Sequence, residues 1–531
     1  MTDDGKAAVR DGGSAIRSIV IVGGGTAGWM AACLLAKRLD RQDVSITVIE
    51  SHMIGTVGVG EATVPAIRDY FRAIDLDEME VLRETGGTIK LGIEFRDWLR
   101  PGHRFFHPFG LYGLSSRGVP FHQYWLKCLH AGDERPLEDY SLCSELARRG
   151  LFMPPVDNPV NELGVFNWAV HFDASLFARQ LKTHGMARGV RLVDDVIVDV
   201  RLDLASGHVR DVVTEGGQSV AGDLFIDCSG FRALLIGKAL NTPWVDWRDL
   251  LPRDRAVAMP CALDPALDFP YTVSTARPAG WQWRIPLQHR VGNGYVYSSA
   301  HLSDDEAIAD LRGRLEGEAL GEPNLIRFSA GHRVHFWNGN CVAVGLAAGF
   351  LEPLESTSIT LIQTAVEKLI DLFPDTGFDP ALAAEYNRAT TLEFERIRDF
   401  LILHYLGNRR LGEPMWDALR AASPPDRLAH KLRLFQARGK LVRYEWEAFL
   451  DPSWLSMYAG FGMLPNRHDP MADHFTDAEI ASALDRMREA IGAASAHAMP
   501  HGAFIARHAA ARTSAQTHPP QNTHMEKVLH G

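Results

Sequence analysis

The sequence predicts an α/β protein whose second half is mainly helical, and three observations carry that expectation. The stretch "SIVIVGGG" reads as a buried strand running into a glycine turn, followed by a helix over Ala27–Leu39 and a second buried strand, "VSITVIE". Two later segments, "RLVDDVIVDVRLD" and "HVRDVVTEGGQSVAGDLFIDCSG", alternate like an antiparallel meander that returns to the central sheet at Leu224–Asp227. From about residue 376 to 490 the apolar spacing is mostly helical, with Trp- and Met-containing connections.

In chain order, residues 1–16 are polar and glycine-containing and are expected to form a disordered N-terminal tail. Residues 17–375 are expected to be a nucleotide-binding domain carrying insertions. Near its end "NCVAVGLAAG" reads as another buried strand and a loop. Ile362, Ala365, Val366, Leu369 and Phe373 then follow helical spacing, and Pro374 stops that helix. Residues 376–490 form the mainly helical part. From 491 to 531 the chain is Ala-, His- and Pro-rich without a sustained period, so a disordered tail is expected there. Its histidines (His497, His501, His508, His518, His524, His530) have no fixed spacing and no accompanying carboxylates, which favours a solvated tail over a metal site.

The 531 residues are enough for a large core, and 46% hydrophobic with 23% charged residues is an ordinary globular composition. The formal charge of −11 argues against a general nucleic-acid or anionic-membrane binder. Six scattered cysteines without a C-x-x-C pair read as reduced thiols of a cytoplasmic protein. Ser18–Ala36 is uncharged, but three consecutive glycines suit a strand–turn–helix and not a membrane span.

Within "IVIVGGGTAGWM" the glycines Gly23, Gly25 and Gly28 form G-x-G-x-x-G between a strand and a helix. The first makes the turn, the second admits a pyrophosphate, and the third allows close helix–strand packing. The helix N-terminus offers N–H groups and positive potential to that phosphate. Glu50 ends the second strand about 20 residues further on, where an acidic side chain can accept from ribose hydroxyls. Glycines alone are weak evidence, but with the strand, helix and Glu50 they indicate a dinucleotide. Completion by the distant segments "DLFIDCSGF" and "GLAAGFLEPLEST" resembles FAD proteins more than simple NAD dehydrogenases.

Three further stretches bear chemistry. "GTIKLGIEFRDW" alternates, placing Ile89, Leu91, Ile93 and Phe95 on one side and Lys90, Gly92, Glu94 and Arg96 on the other. A lysine on such a face is ordinarily solvated. In "FLEPLESTSITLIQ", Ser356 or Thr357 can cap a helix whose N-terminus would hold a small anion. Glu355 lies just before it and, on the plainest reading, only offsets the helix dipole. "RFFHPFG" gathers Phe105, Phe106, His107 and Phe109, which suits either core packing or a pocket for a flat aromatic molecule.

Together "GGGTAGWM", "VGVGEATVP", "GTIKLGIEFRDW", "HPFG", "HFDASLFA", "DLFIDCSGFR", "GWQWRIP" and "GFLEPLEST" occur in the order seen in flavin-dependent halogenases, and the chain most resembles the tryptophan halogenase subgroup. The match runs from about residue 17 to His404-Tyr405 and continues in "AGFGMLPNR". W-x-W-x-I-P is its most diagnostic element. The resemblance implies an FAD-binding Rossmann-type, GR2-like flavin monooxygenase fold with an added helical substrate part. It implies cofactor contacts at Gly23, Gly25, Thr26, Ala27, Gly28, Glu50, Glu61, Ala62, Val196, Leu346 and Ile359. Trp281, Trp283, Ile285 and Pro286 would be a wall beside the flavin that keeps organic substrate out, although two tryptophans can also simply fill core. A chloride or bromide would sit at Thr357–Ser358. FADH2 and O2 would convert it to hypohalous acid, which passes along a tunnel to Lys90, by hydrogen bonding or as a haloamine. Glu355 would stabilise the cationic ring intermediate or remove its proton, and His107, Phe109 and Trp454 would hold an aromatic, indole-type substrate.

Two departures from the subgroup stand out. Ser358 replaces the glycine of "ESTG". The segment "RYEWEAFLDPSWLSMYAGFG" is also shorter than the insert that binds the polar end of tryptophan, with Trp446 or Trp454 as partial substitutes. The competing readings are an FAD-dependent aromatic hydroxylase, for which a tryptophan wall would be counterproductive, and a catalytically silent flavin-binding protein. No NAD(P)H site is evident, so a separate flavin reductase is the expected partner. A homodimer rests on the resemblance alone.

Overall fold

The computed structural model describes residues 13–40, 43–53 and 60–511. One layer is a six-stranded sheet in the order Trp337–Asn338, Cys341–Ala343, Leu224–Asp227, Ser18–Val22, Ser45–Glu50 and Arg191–Asp194. All neighbours are parallel except the first pair. Ile19 to Val22 are buried without alternation, as a strand covered on both faces requires. The helix Thr26–Arg38 covers one face and packs on the helices Ala174–Ala187 and Ser358–Asp371.

The expected meander exists as Ile197–Leu202, Val209–Thr214 and Ser219–Ala221, all antiparallel. Its first segment, Arg191–Asp194, instead joins the parallel sheet beside Ser45–Glu50. A second, seven-stranded sheet runs Asn324–Arg327, Arg255–Cys261, Val291–Tyr297, Gly280–Pro286, Thr272–Arg277, Gly92–Arg96 and Arg104–Pro108. "GWQWRIP" is thus an interior strand, and Pro286 closes it opposite Val291, where a missing N–H costs least.

"GTIKLGIEFR" is not one strand. Thr88–Lys90 pairs with Ala169–Asp173 in a small sheet, whereas Gly92–Arg96 belongs to the seven-stranded one. Leu91 is the joint, with its N–H on Pro270 O at 2.7 Å and its carbonyl accepting from Phe109 N at 2.9 Å. Both backbone groups of the break are thereby satisfied, so the chain can change sheets inside the core.

The helical second half includes Ser358–Asp371, Pro380–Leu406, Asp426–Arg438, Asp451–Gly460 and Asp477–Ser495. It shares a hydrophobic cluster with the sheets that extends from Ile16 to Ala509. Part of each expected tail is ordered structure. Ile16 is buried and Thr376 N donates to Ser14 O at 2.8 Å, while residues 1–12 lie outside the described residues. Beyond 491 the helix continues to Ser495, Met499–Pro500 pairs with Leu151–Phe152, and His501–His508 is a helix. His501, Phe504 and Ile505 form a short buried face, and His501 Nδ1 meets Asp268 at 2.9 Å. Three apolar-facing positions among alanines and histidines are too few to register as a period, yet they suffice against a prepared groove. Residues 512–531, with His518, His524 and His530, lie outside the described residues. Among the described residues no helix is long and apolar enough to cross a membrane.

Candidate active site

A cavity of about 730 Å³ opens at the carboxyl ends of the parallel strands, where an open α/β sheet places its ligands. Gly23, Gly25, Thr26, Ala27 and Glu50 line one end. Glu61, Ala62, Val196, Leu346 and Ile359 line it elsewhere, so every expected cofactor residue except Gly28 faces the same space. Gly28 lies behind the turn: a Cβ there would stand 1.8 Å from Gly23 O, which is the close packing expected of the third glycine. A Cβ on Gly25 would meet nothing within 4 Å, leaving a smooth cradle before the helix. That helix has no side-chain cap and no acidic residue in its first turn, so its N-terminus is free for an anion. Glu50 accepts from Trp29 Nε1 at 2.9 Å, which holds the carboxylate at the cavity edge. These features fit FAD. Among the described residues Glu61 has no charge partner, and burial raises its carboxyl to about 7.

Lys90 and Glu355 are not on this cavity wall; they lie beyond it. Lys90 is fully buried, because its strand ends at the sheet change and turns the side chain inward. Its Nζ donates to Thr63 O and Ser356 Oγ, both at 2.8 Å, and stands 5.1 Å from the Phe109 ring centre. Burial lowers the ammonium to about 7 against the opposing pull of Glu355. The solvated lysine that strand alternation suggests is therefore not what forms.

Pro353–Glu355 is a tight turn followed by Ser356 in the left-handed region, φ 60°. Neither Ser356 nor Thr357 caps the next helix with its side chain. Ser356 Oγ is taken by Lys90, and Thr357 Oγ1 is buried without a hydrogen-bond partner among the described residues. The first-turn N–H groups are left for another acceptor, which suits a halide. Ser356 and Ser358 line the cavity, while Thr357 is buried beside it.

Glu355 is held by two histidines, His404 Nε2 at 2.7 Å and His107 Nδ1 at 3.1 Å. Burial pushes its carboxyl up, but the two imidazoles outweigh that and bring it down to about 2. His107 is thus a partner of Glu355 and not a free stacking ring. Phe109 is half-buried beside Lys90 and His107. Trp454 is buried further out: its Nε1 donates to Phe449 O at 3.1 Å, and its ring meets Phe400 edge-on at 5.0 Å. Phe449 stacks on Phe400 at 3.9 Å, and the two rings lie 6.4 and 6.1 Å from His107.

Trp281, Trp283 and Ile285 do line the cavity. Pro286 does not, but its carbonyl accepts from Thr88 Oγ1 at 2.7 Å and ties the wall strand to that of Lys90. Trp281 Nε1 donates to Glu352 Oε2 at 2.8 Å, and Glu352 also accepts from Tyr405 and pairs with buried Arg253. Trp98 packs between Trp281 and His404, at 6.5 and 6.0 Å. An aromatic layer therefore stands between cavity and carboxylate. Sequence reasoning missed Ser356 as a Lys90 partner, Glu352, Arg253 and His404. Glu352 and Ser356 stood in the quoted "FLEPLEST" and His404 in the "HY" of "ILHYL", but neither stretch showed these partners.

A Rossmann-type cavity joined through one serine to a buried lysine, with a histidine-held glutamate beside it, is the layout of a flavin-dependent enzyme. The chain belongs to the tryptophan halogenase family, whose model matches residues 18–477. It is 40% identical over 502 residues to tryptophan 6-halogenase SttH of Streptomyces toxytricini, covering 88% of this chain and 95% of that one. Among solved structures it is similar to BrvH, a flavin-dependent halogenase from Brevundimonas sp. BAL3. The TM-score there is 0.90 at 48% identity, over 93% of this chain and 99% of that chain. Xcc4156, a flavin-dependent halogenase from Xanthomonas campestris, gives TM-score 0.90 at 41% identity over 94% and 99%. The protein is a flavin-dependent halogenase.

Proposed function

We propose that this enzyme acts in the cytoplasm and halogenates an electron-rich, indole-type arene with chloride or bromide, using FADH2 supplied by a separate flavin reductase. The observation that carries the reading is Ser356: the residue lines the cavity and its hydroxyl touches Lys90. Reduced FAD, when bound, supplies the electrons by which O2 and halide give hypohalous acid. Gly25 and the helix N-terminus cradle its pyrophosphate, and Glu50 accepts from its ribose. The Thr357–Ser358 backbone holds the halide. Trp281 and Trp283 exclude the arene, so the small oxidant must pass Ser356 to reach Lys90.

Lys90 then orients hypohalous acid toward the ring. The carbon–halogen bond forms as the oxygen–halogen bond breaks, and the oxygen leaves as water once protonated. Glu355, a carboxylate in a water-poor site, stabilises the positive charge that develops on the ring and accepts its proton. Around the expected amino-acid clamp the charged groups are already paired: Arg443 with Asp451 at 2.9 Å, Glu445 with Arg388 at 2.8 Å, and Glu447 with Lys431 at 2.8 Å. Trp446 sits outside over Lys368. Little remains to pair an α-ammonium and α-carboxylate, which favours a simple indole over free tryptophan.

Mass spectrometry of indole and tryptophan incubated with enzyme, FAD, reductase and chloride or bromide tests the proposal. A halide-dependent isotope pattern in the product supports it. Hydroxylated product without halogen would overturn it in favour of a hydroxylase.

A further inference from the structure

His404 Nδ1 lies 2.8 Å from Phe400 O, and its Nε2 lies 2.7 Å from Glu355 Oε1. A carbonyl oxygen only accepts, so Nδ1 carries a hydrogen. Neutral imidazole in that tautomer would present an Nε2 lone pair to a carboxylate oxygen, which is repulsive at this distance. One proton must therefore occupy the Nε2–Oε1 contact, on the imidazole or on the carboxyl.

The surroundings favour the imidazole. Four rings, Phe400, Phe95, Trp98 and Phe461, have centroids 5.1 to 6.1 Å from that of His404, so the acceptors its ring nitrogens reach are Phe400 O and Glu355. Glu355 gains a second donor in His107, which favours its ionised form. We propose that His404 is a buried imidazolium and the positioning residue of the site. It fixes Glu355 as a carboxylate and takes up part of its charge, so that the pull of Glu355 on Lys90 is weakened.

The other groups around the pair agree with this assignment. Among the described residues the Lys90 hydrogen bonds go to the neutral Thr63 and Ser356 oxygens. Glu352, on the turn before Glu355, is committed to Arg253, Trp281 and Tyr405. His171, on the strand beside Lys90, is bonded to Thr88 and Thr272 hydroxyls and kept neutral by burial. The Lys90 amine can thus release its proton at working pH and meet electrophilic halogen as a neutral amine. This rests on the proposed roles of Lys90 and Glu355, but the protonation of His404 is measurable without turnover.

The experiment is nitrogen NMR of 15N-histidine-labelled protein at pH 8, with His404 identified by comparison with His404→Gln and Glu355→Gln. Two protonated ring nitrogens in the wild type, with Nε2 losing its proton in Glu355→Gln, are expected. An unprotonated Nε2 in the wild type overturns the proposal even if halogenation is normal. Its functional arm is the pH profile of single-turnover bromination of indole. Glutamine can donate to Glu355 but cannot hold the extra proton, so His404→Gln should move the ascending limb at least one pH unit higher, with KM changed less than twofold. An unmoved limb overturns the coupling to Lys90. Should His404→Gln not fold, the wild-type and Glu355→Gln spectra still decide.

Discussion

Lys90 Nζ and Ser356 Oγ stand 2.8 Å apart although 266 residues separate them in the chain. The serine is a bridge with one side in the cofactor cavity and the other on the lysine. Its left-handed backbone is what allows Glu355 and Ser356 to be presented in succession to two different groups.

Replacing Lys90 by alanine is expected to lower halogenation at least about a hundredfold, the scale of a positioned acid–base group. FAD binding should persist, because Lys90 is not on the cavity wall. Ser356→Ala leaves Lys90 its Thr63 contact and should cost roughly tenfold, the worth of one hydrogen bond. Product formation and flavin titration in the same preparations check both. A wild-type rate in Lys90→Ala would remove the lysine from the mechanism.

Glu355→Gln should lower kcat far more than it raises KM for indole, since the charge acts on the ring only as it becomes cationic. It should also flatten the acid limb of stability. The wild-type carboxyl, held at about 2 against an ordinary 4.5, contributes stability that is present above 4.5 and lost as pH falls from there toward 2. The upper limit is on the order of 3 kcal/mol. Urea unfolding from pH 7 to 3 is the measurement; parallel curves for the two proteins would contradict the role of the histidine pair.

With indole and tryptophan competing in one tube, kcat/KM for indole should at least equal that for tryptophan. Burying two unpaired charges costs more than the extra contacts return. The ratio of halogenated products reads this directly. A strong preference for tryptophan would mean that the Arg443–Asp451 or Lys431–Glu447 pair opens to receive it.

Deleting residues 497–531 should destabilise the enzyme. Phe504 and Ile505 are buried against the fold, and two such side chains are worth roughly 3 to 6 kcal/mol. The deletion also strips His501 from the Ile89 N–H, one residue before Lys90. A Tm drop of several degrees with partial loss of activity is expected, and an unchanged Tm would make this segment dispensable.

The glycine turn, Glu50 and the two buried strands are legible in the sequence because each depends on neighbours a few residues away. Gly23 must adopt φ 108° against Cys228 O, and Gly28 must let a helix pass close to the turn. Such demands leave few alternatives to glycine. The W-x-W-x-I-P and E-P-L-E-S-T stretches likewise mark the family by themselves. The state of Lys90 is not legible there. Alternation assigns it to a polar face, and only the change of sheets at Leu91 buries it. The link from Ser356 to Lys90, the committed Glu352, and the clasp of His107 and His404 on Glu355 join strands, a turn and a helix hundreds of residues apart. Local pattern reports which backbone a segment prefers, whereas charge and hydrogen-bond partners in a buried site are chosen by packing. That is why the sequence determined the nucleotide fold and the family, while the tertiary structure alone decided which groups surround the lysine and which clasp the carboxylate.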